Sequence, residues 1–174
     1  MKDLPIVTLC LTSYNRKRKL KNCIESFFMT SLYPVEKIEV VIVDNGSDDG
    51  ETKEYIDNLN LDCYDLKKHF NEKNDYPYCL RRAKNQARSI ATGQYFIDCP
   101  DDHLFVVKSD WISEYIEYLS NEEESISCVC HYAYPLYRFA KSNNKMIPSN
   151  YNKSFYVSQL KGYADYHLMK RSTF

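Results

Sequence analysis

Three short polar segments contain the residues whose types and spacing could do chemistry. Each segment directly follows an apolar run: residues 12–16 read TSYNR, residues 44–47 read DNGS and residues 101–103 read DDH. Carboxylate oxygens are the ligands that Mg²⁺ and Mn²⁺ prefer, and proteins hold these ions through one or two carboxylates together with substrate phosphates. The three segments together therefore predict a site for a divalent cation and a phosphorylated ligand.

Taken singly, each segment has a simpler explanation. Asp-Asn-Gly after a strand is common turn chemistry, and two adjacent acids after Pro100 are more often a solvated turn than a metal site. The functional interpretation depends on the three segments meeting at one place. Whether they meet is decided by the elements that precede them.

Those elements alternate between two periods. Short runs rich in β-branched residues predict buried strands at residues 5–12, 38–43 and 95–99. Amphipathic spacing predicts helices at residues 20–32, from 51, 80–91 with Gly93 as a left-handed C-cap, and 111–119 with Ser109 as the N-cap. This alternation predicts an α/β fold with a mostly parallel sheet flanked by helices. The polar segments then share the edge formed by the carboxyl ends of the strands, where such sheets bind ligands.

The rest of the chain is patterned more weakly. A weak strand is predicted at residues 63–66, and a long loop at residues 133–152. Further strands are predicted at residues 126–132, 155–160 and 163–169, and we expect them to form a smaller, mixed part of the sheet. We find no internal repeat and no low-complexity tract.

Composition excludes several classes of protein. The 174 residues are 44% hydrophobic with a net charge of −1, which is typical of a globular domain and leaves no global field for nucleic acid. No apolar run is long enough to span a bilayer, so we expect a cytoplasmic protein, with peripheral membrane association left open. The seven cysteines form no CxxC pair, and we favour structural thiols over a metal cluster of Cys128, Cys130 and His131.

The motifs in their order resemble a known family. The segments VTLCLTSYNR, EVVIVDNGSDDGET and AKNQARSIATGQYFIDCPDD are similar to those of the inverting family 2 glycosyltransferases, which have the Rossmann-like GT-A fold. The resemblance runs from residue 5 to about residue 107, and a fainter one continues to HLMKRSTF at the end. It implies a nucleotide-sugar-binding part at residues 1–108 and a partial acceptor-side part at residues 109–174.

The resemblance also implies roles for individual residues. The implied nucleotide-binding residues are Thr12, Tyr14, Asn15, Arg16, Asp44, Asn45, Arg82, Lys84 and Asp101. The implied ligands of Mn²⁺ or Mg²⁺ are Asp102, Asp101 and His103, with Asp102 favoured as the direct ligand. The implied donor is a UDP-, GDP- or dTDP-sugar, and the implied acceptor is a glycan or a lipid-linked molecule. Lys84 stands where many relatives have arginine.

The acceptor side departs from the family pattern. Family members place a carboxylate base after the strand that matches HLMKR, and we find no acidic pair between Arg171 and the last residue, Phe174. We therefore expect a truncated chain whose catalytic base lies beyond Phe174, with Asp165 as the candidate within the sequence.

Two alternative functions stay open at this point. One is a nucleotide-sugar-binding module without turnover, in which the catalytic base is missing. The other is a nucleotidyltransferase, which ranks last because such enzymes usually have a glycine-rich first loop and SYNR contains no glycine. The oligomeric state also stays open.

Overall fold

The structure is a computed structural model that describes residues 4–74, 76, 79–121, 128–131, 147–148, 155–157 and 167–170, the last four ranges through their backbone. In chain order the strands are β1 Val7–Ser13, β2 Ile38–Asp44, β3 Asp65–Phe70, β4 Tyr95–Pro100, β5 Cys128–His131, β6 Ile147–Pro148, β7 Phe155–Val157 and β8 His167–Lys170. They form one sheet in the order β3-β2-β1-β4-β8-β5-β7-β6. The predicted α/β class is confirmed.

Strands β3, β2, β1 and β4 run parallel. Every residue of β1 and β2 is buried, which explains why both are nearly continuous apolar runs. In the register of the sheet Ser13 lies opposite Asp44, and Thr12 lies opposite Pro100. The three loops that follow these strands therefore leave the sheet at one edge, as the sequence predicts.

Strand β3 is longer and more polar than its pattern predicts. Its sequence is DLKKHF, and it pairs with β2 at the end of the strand order. The lysines find partners elsewhere in the fold: Lys68 Nζ donates to the backbone carbonyls of Asp57 and Leu59, at 2.7 Å each. Polar partners thus hold a strand that hydropathy alone barely indicates.

The late strands form the mixed part of the sheet. Strand β8 pairs antiparallel with β4, and β5 pairs antiparallel with both β8 and β7. Strand β6 completes this part by pairing with β7. The sequence predicts β5 and β7 at longer bounds, and β8 ends one residue after the predicted range 163–169. The predicted long loop at residues 133–152 is wrong at Ile147–Pro148, which form β6. The side chains of Cys128, Cys130 and His131 lie outside the described residues, so their interpretation stays a prediction.

Helices cover both faces of the sheet. They are α1 Lys17–Thr30, α2 Glu51–Asn58, α3 Cys79–Ile90 and α4 Trp111–Asn121, with a 3₁₀ turn at Val35–Lys37. Helices α1, α2 and α4 share the larger apolar core with β1, β2 and β4. Helix α3 packs on the other face through Ala83 and Ala87, and Ala91 follows with the same spacing. Within the described ranges, no helix has the length and apolarity that crossing a membrane requires.

Two predicted helix ends are wrong in detail. Gly93 does not adopt the left-handed backbone of a C-cap. A Cβ at Gly93 would lie 2.6 Å from Thr8 Oγ1, so glycine is needed there for close approach of the chain to β1. Helix α4 is capped by Asp110 rather than Ser109, since Asp110 Oδ1 accepts the amide hydrogen of Ser113 at 3.4 Å.

At the amino ends of β1 and β2, far from the loops that follow these strands, a buried carboxylate connects several elements. Glu39 of β2 is fully buried and accepts hydrogen bonds from Lys67 Nζ, Thr8 Oγ1 and both the amide and hydroxyl of Thr92. Burial would raise the pKa of Glu39, but these hydrogen bonds outweigh it and lower the pKa to about 2. Glu39 therefore links β1, β2, β3 and the turn after α3 as an ionised group.

Candidate functional site

A cavity of about 360 Å³ lies at the carboxyl ends of β1, β2 and β4. It is lined by Thr12, Ser13, Tyr14, Arg16, Asn45, Asn74, Tyr76, Leu80, Lys84, Pro100, Asp101 and Asp102. All three polar segments that the sequence singles out contribute residues to the lining of this cavity. The three segments therefore converge at one sheet edge, but the predicted site residues Asn15, Asp44 and His103 are not among those that line the cavity.

The loop after β1 supplies one wall of the cavity. Thr12 is almost fully buried, whereas Tyr14 is 38% exposed and presents an aromatic side chain to the cavity. Asn15 has a left-handed backbone with φ of 52°. Its side-chain oxygen accepts the amide hydrogen of Asp48 at 2.9 Å, and its side-chain amide donates to the carboxylate of Asp48 at 2.6 Å. Asn15 therefore fixes the first loop against the second.

Asp44 is the last residue of β2, and its two carboxylate oxygens differ in their hydrogen bonding. Oδ2 accepts the amide hydrogens of Gly46 at 3.1 Å and of Ser47 at 2.9 Å, which holds the turn. Oδ1 is buried and has no hydrogen-bond partner among the described residues. Because a buried acceptor without a partner is costly, this oxygen is a candidate to accept a hydrogen bond from a ligand. The next residue, Asn45, lines the cavity.

Behind Asn45 lies an amide network that no sequence motif indicates. Asn71 Nδ2 donates to Asn45 Oδ1 at 3.3 Å and to Gln86 Oε1 at 2.9 Å, and Gln86 Nε2 returns a hydrogen bond to Asn71 Oδ1 at 3.0 Å. The ring nitrogen Nε2 of His69 lies 3.2 Å from Asn71 Oδ1. These contacts hold the side chain of Asn45. The only local signal is that Asn71 directly follows β3.

The third wall carries the two adjacent acids. The Asp101 side chain is 6% exposed, and its Oδ2 accepts the hydroxyl hydrogen of Ser13 at 2.7 Å. The Asp102 side chain is 43% exposed. Arg16 Nη1 lies 3.2 Å from Asp101 Oδ1 and 3.3 Å from Asp102 Oδ2, and Lys19 Nζ lies 3.5 Å from that same Asp102 oxygen.

Burial raises the pKa of Asp101 above its usual value, against the opposing hydrogen bond from Ser13 and the charge of Arg16. The two acids therefore differ in environment although they are adjacent. Asp101 is enclosed and hydrogen-bonded, and Asp102 faces solvent. An accessible carboxylate is the better placed of the two to reach a cation that a ligand brings with it.

The acidic pair fits a divalent cation in its donor chemistry. Mg²⁺ and Mn²⁺ are held by one or two carboxylates when phosphate oxygens and water complete the shell. His103 is placed differently from the two acids, with its ring centroid 5.4 Å from that of Phe105. Across the described ranges, His, Cys, Asp and Glu side chains form no group of three or more that could hold a metal. His103 as a ligand stays a prediction.

Lys84 lines the cavity from α3 and is held there by a buried acid. Its Nζ lies 3.3 Å from Asp98 Oδ2, and Arg88 Nη2 lies 2.8 Å from the same oxygen. Asp98 is 4% exposed in β4, and its position inside an apolar run gives no sequence signal for this role. Asp98 thus holds both Lys84 and Arg88, and of these two cations Lys84 lines the cavity.

Arg82 differs in its placement from Lys84, the other predicted site residue of α3. It lies on the outer face of the helix, where Arg81, Arg82, Asn85, Gln86 and Ser89 line a separate surface cavity of about 440 Å³. Its predicted contact with the nucleotide is therefore not supported by the shape of the main cavity. Conversely, Asn74, Tyr76 and Leu80 line the main cavity without having been predicted.

The residues expected to bear on the catalytic base fall outside the described part of the chain. Neither Asp165 nor the last residue, Phe174, is among the described residues. The nearest described element is β8, whose sequence HLMK is the predicted strand of the acceptor side. Asp165 as the base, and a base located beyond Phe174, both stay predictions.

A family model for glycosyl transferase family 2 matches residues 8–171. No curated protein matches the chain at a significant level. Among solved structures, a mannosyltransferase from Pyrobaculum calidifontis, PcManGT, in complex with GDP-Man and Mn²⁺, matches with a TM-score of 0.69 and 20% identity, over 98% of this chain and 46% of its own. TarS 1–349 from S. aureus matches with a TM-score of 0.53 and 20% identity, over 71% and 34%.

The same TarS fragment in complex with UDP-GlcNAc matches with a TM-score of 0.52 and 20% identity, over 71% of this chain and 33% of its own. The chain thus spans less than half the length of these relatives. This structural similarity shows that the sheet and its flanking helices have the GT-A fold. Since the family match covers nearly the whole sequence, the chain belongs to glycosyl transferase family 2.

Proposed function

We propose that the cavity binds a nucleoside diphosphate sugar with a divalent cation, and that the protein transfers the sugar to an acceptor hydroxyl with inversion. The observation that carries this proposal is the single cavity that joins Thr12, Tyr14 and Asn45 to the acids Asp101 and Asp102. Relatives of the same fold have been solved with GDP-Man and Mn²⁺ and with UDP-GlcNAc, which supports a donor of this chemical class.

In this proposal the nucleoside lies toward Asp44 and Tyr14. The unpartnered Oδ1 of Asp44 accepts a hydrogen bond from a base N–H, which removes the cost of a buried unpaired acceptor. Tyr14 and Tyr76 offer aromatic faces on which a base can stack. Asn45, held by Asn71, adds a polar group whose position is fixed before the ligand arrives.

We place the diphosphate near the acids Asp101 and Asp102 and near the basic residues Lys84 and Arg16. Asp102, together with Asp101, would hold the cation, which acts as a Lewis acid and stabilises the charge that develops on the leaving diphosphate. Lys84 and Arg16 line the same cavity and add positive charge near the phosphate oxygens. Asp98 positions Lys84 through their 3.3 Å contact.

The acceptor side is proposed from the family resemblance. In-line attack on the anomeric carbon needs a positioned base that takes the proton of the hydroxyl. Asp165 is the candidate for that base within this sequence, and a carboxylate beyond Phe174 is the other. The acceptor class is a glycan or a lipid-linked molecule. A cytoplasmic location is proposed from the sequence, with peripheral membrane association left open.

Thermal unfolding of the whole chain tests the proposed donor site. With Mn²⁺ present, at least one of UDP, GDP and dTDP is expected to raise the Tm, since a ligand at 100 times its Kd adds about 2.7 kcal/mol to stability. The matching nucleoside with Mn²⁺ serves as the control and is expected to give a smaller shift. The absence of a shift with all three diphosphates would contradict the proposal.

A further inference from the structure

Arg16 makes an unusual contact with the acidic pair. One nitrogen, Nη1, lies 3.2 Å from Asp101 Oδ1 and 3.3 Å from Asp102 Oδ2, so it bridges the two carboxylates. The backbone of Arg16 is held in place, because its carbonyl accepts the amide hydrogen of Leu20 at 2.9 Å in the first turn of α1. The guanidinium is half exposed, so it can leave the acids without unfolding α1.

The oxygen of Asp101 that Arg16 contacts is also the one that a cation would need. Asp101 Oδ2 accepts the hydroxyl hydrogen of Ser13 at 2.7 Å, which leaves Oδ1 as the oxygen that faces Arg16. A divalent cation bound by both carboxylates would lie about 2 Å from each oxygen. The space between them is where Nη1 lies, and two positive charges in that space repel each other.

We propose that Arg16 is a built-in counter-ion of the acidic pair, which a divalent cation must displace before it can bind Asp101 and Asp102 together. The inference rests on the proposed function, in that it takes the cation to belong at these acids. In the absence of the cation, Arg16 offsets one of the two negative charges of the adjacent carboxylates. Because Arg16 also lines the cavity, the displaced guanidinium stays beside an anionic ligand.

Lys19 supplies the matched comparison. Its Nζ lies 3.5 Å from Asp102 Oδ2, so it carries the same charge near the same acid without bridging the pair. If only the local field mattered, removing either charge would have a similar effect on cation affinity. If Arg16 occupies the cation position, its removal has the larger effect. The two variants therefore separate displacement from simple electrostatics.

The test is direct Mn²⁺ binding to the whole chain without nucleotide, measured from the free Mn²⁺ signal in electron paramagnetic resonance. We expect Arg16→Gln to bind Mn²⁺ about five- to tenfold more tightly than the wild type, and Lys19→Gln to change the affinity by less than about twofold. Circular dichroism confirms that each variant is folded. Unchanged or weaker binding by Arg16→Gln, an equal gain in both variants, or no Mn²⁺ binding in any of them would overturn the inference.

The outcome also separates the inference from the proposed function. If Arg16→Gln gains Mn²⁺ affinity as expected while no nucleoside diphosphate binds to any variant, the assignment of Arg16 stands and the proposed function fails. If nucleoside diphosphates bind while Arg16→Gln shows no gain, the proposed function stands and the assignment of Arg16 fails.

Discussion

Gly46 and Lys73 approach each other so closely that only glycine fits at residue 46. Gly46 has a left-handed backbone with φ of 80°, and a Cβ built there would lie 2.3 Å from the carbonyl carbon of Lys73. The neighbouring backbone nitrogen of Asn74 would lie 2.6 Å away. The turn after β2 thus sets the position of the loop after β3, and Asn74 of that loop lines the cavity.

We expect Gly46→Ala to lower both stability and nucleotide affinity. Left-handed backbone costs an alanine about 1 to 2 kcal/mol, and the clash with residue 73 adds to this cost by pushing the loop away from the cavity. Thermal unfolding and calorimetric titration with a nucleoside diphosphate measure the two effects. Gly50→Ala is the matched control, because Gly50 has φ of 73° and an added Cβ there would have no described atom within 4 Å. Equal losses in the two variants would contradict the positional role.

Asp44→Asn is expected to weaken nucleotide binding through the base and not through the phosphates. The amide oxygen of asparagine can keep the turn bonds to Gly46 and Ser47, but an NH₂ group replaces the unpartnered acceptor. The expected loss is about 1 to 3 kcal/mol for a nucleoside diphosphate. Affinity for inorganic pyrophosphate with Mn²⁺ is the control and should not change. Equal weakening of both ligands would place the base elsewhere.

The lowered pKa of Glu39 predicts how the stability of the fold depends on pH. Its pKa is about 2 in the folded chain against an ordinary value of 4.5, so its contribution to folding is fully present above about pH 4.5. That contribution is lost progressively as the pH falls from 4.5 towards 2. We expect Glu39→Gln to lower stability at neutral pH by about 1 to 3 kcal/mol, because a buried charged hydrogen-bonded group is lost.

The measurement is the free energy of unfolding in urea between pH 2 and pH 6. Over this range the wild type should lose stability more steeply than Glu39→Gln. Glu54→Gln, a change at an exposed position of α2, is the control and should keep the slope of the wild type. If Glu39→Gln and the wild type have the same slope, Glu39 is not the group responsible.

The parts of the fold that sequence could predict are those with a local pattern. Strands β1, β2 and β4 are buried along almost their whole length, so their apolar runs mark them plainly. The acids and polar residues that follow them meet because parallel strands end at one edge. That single topological rule was enough to predict the convergence of residues from the three polar segments on one cavity.

The parts that sequence could not predict depend on distant partners. Asp98 looks like an interruption in an apolar strand until Lys84 and Arg88 of α3 are seen to contact it. Gly93 has the usual position of a C-cap, but its role is close approach to Thr8, which lies 85 residues away along the chain. Spacing within one segment carries no information on such contacts.

The comparison that bears most directly on the proposed site is calorimetric titration of wild type and Asp102→Asn with the nucleoside diphosphate that gives the largest thermal shift, with and without Mn²⁺. Asp57→Asn, an exposed change on α2, is the control. We expect Mn²⁺ to tighten nucleotide binding in the wild type and in Asp57→Asn, and to have no effect on Asp102→Asn, which should unfold at the wild-type temperature. Equal tightening by Mn²⁺ in Asp102→Asn and in the wild type would contradict the assignment of this cavity as a cation-dependent nucleotide site.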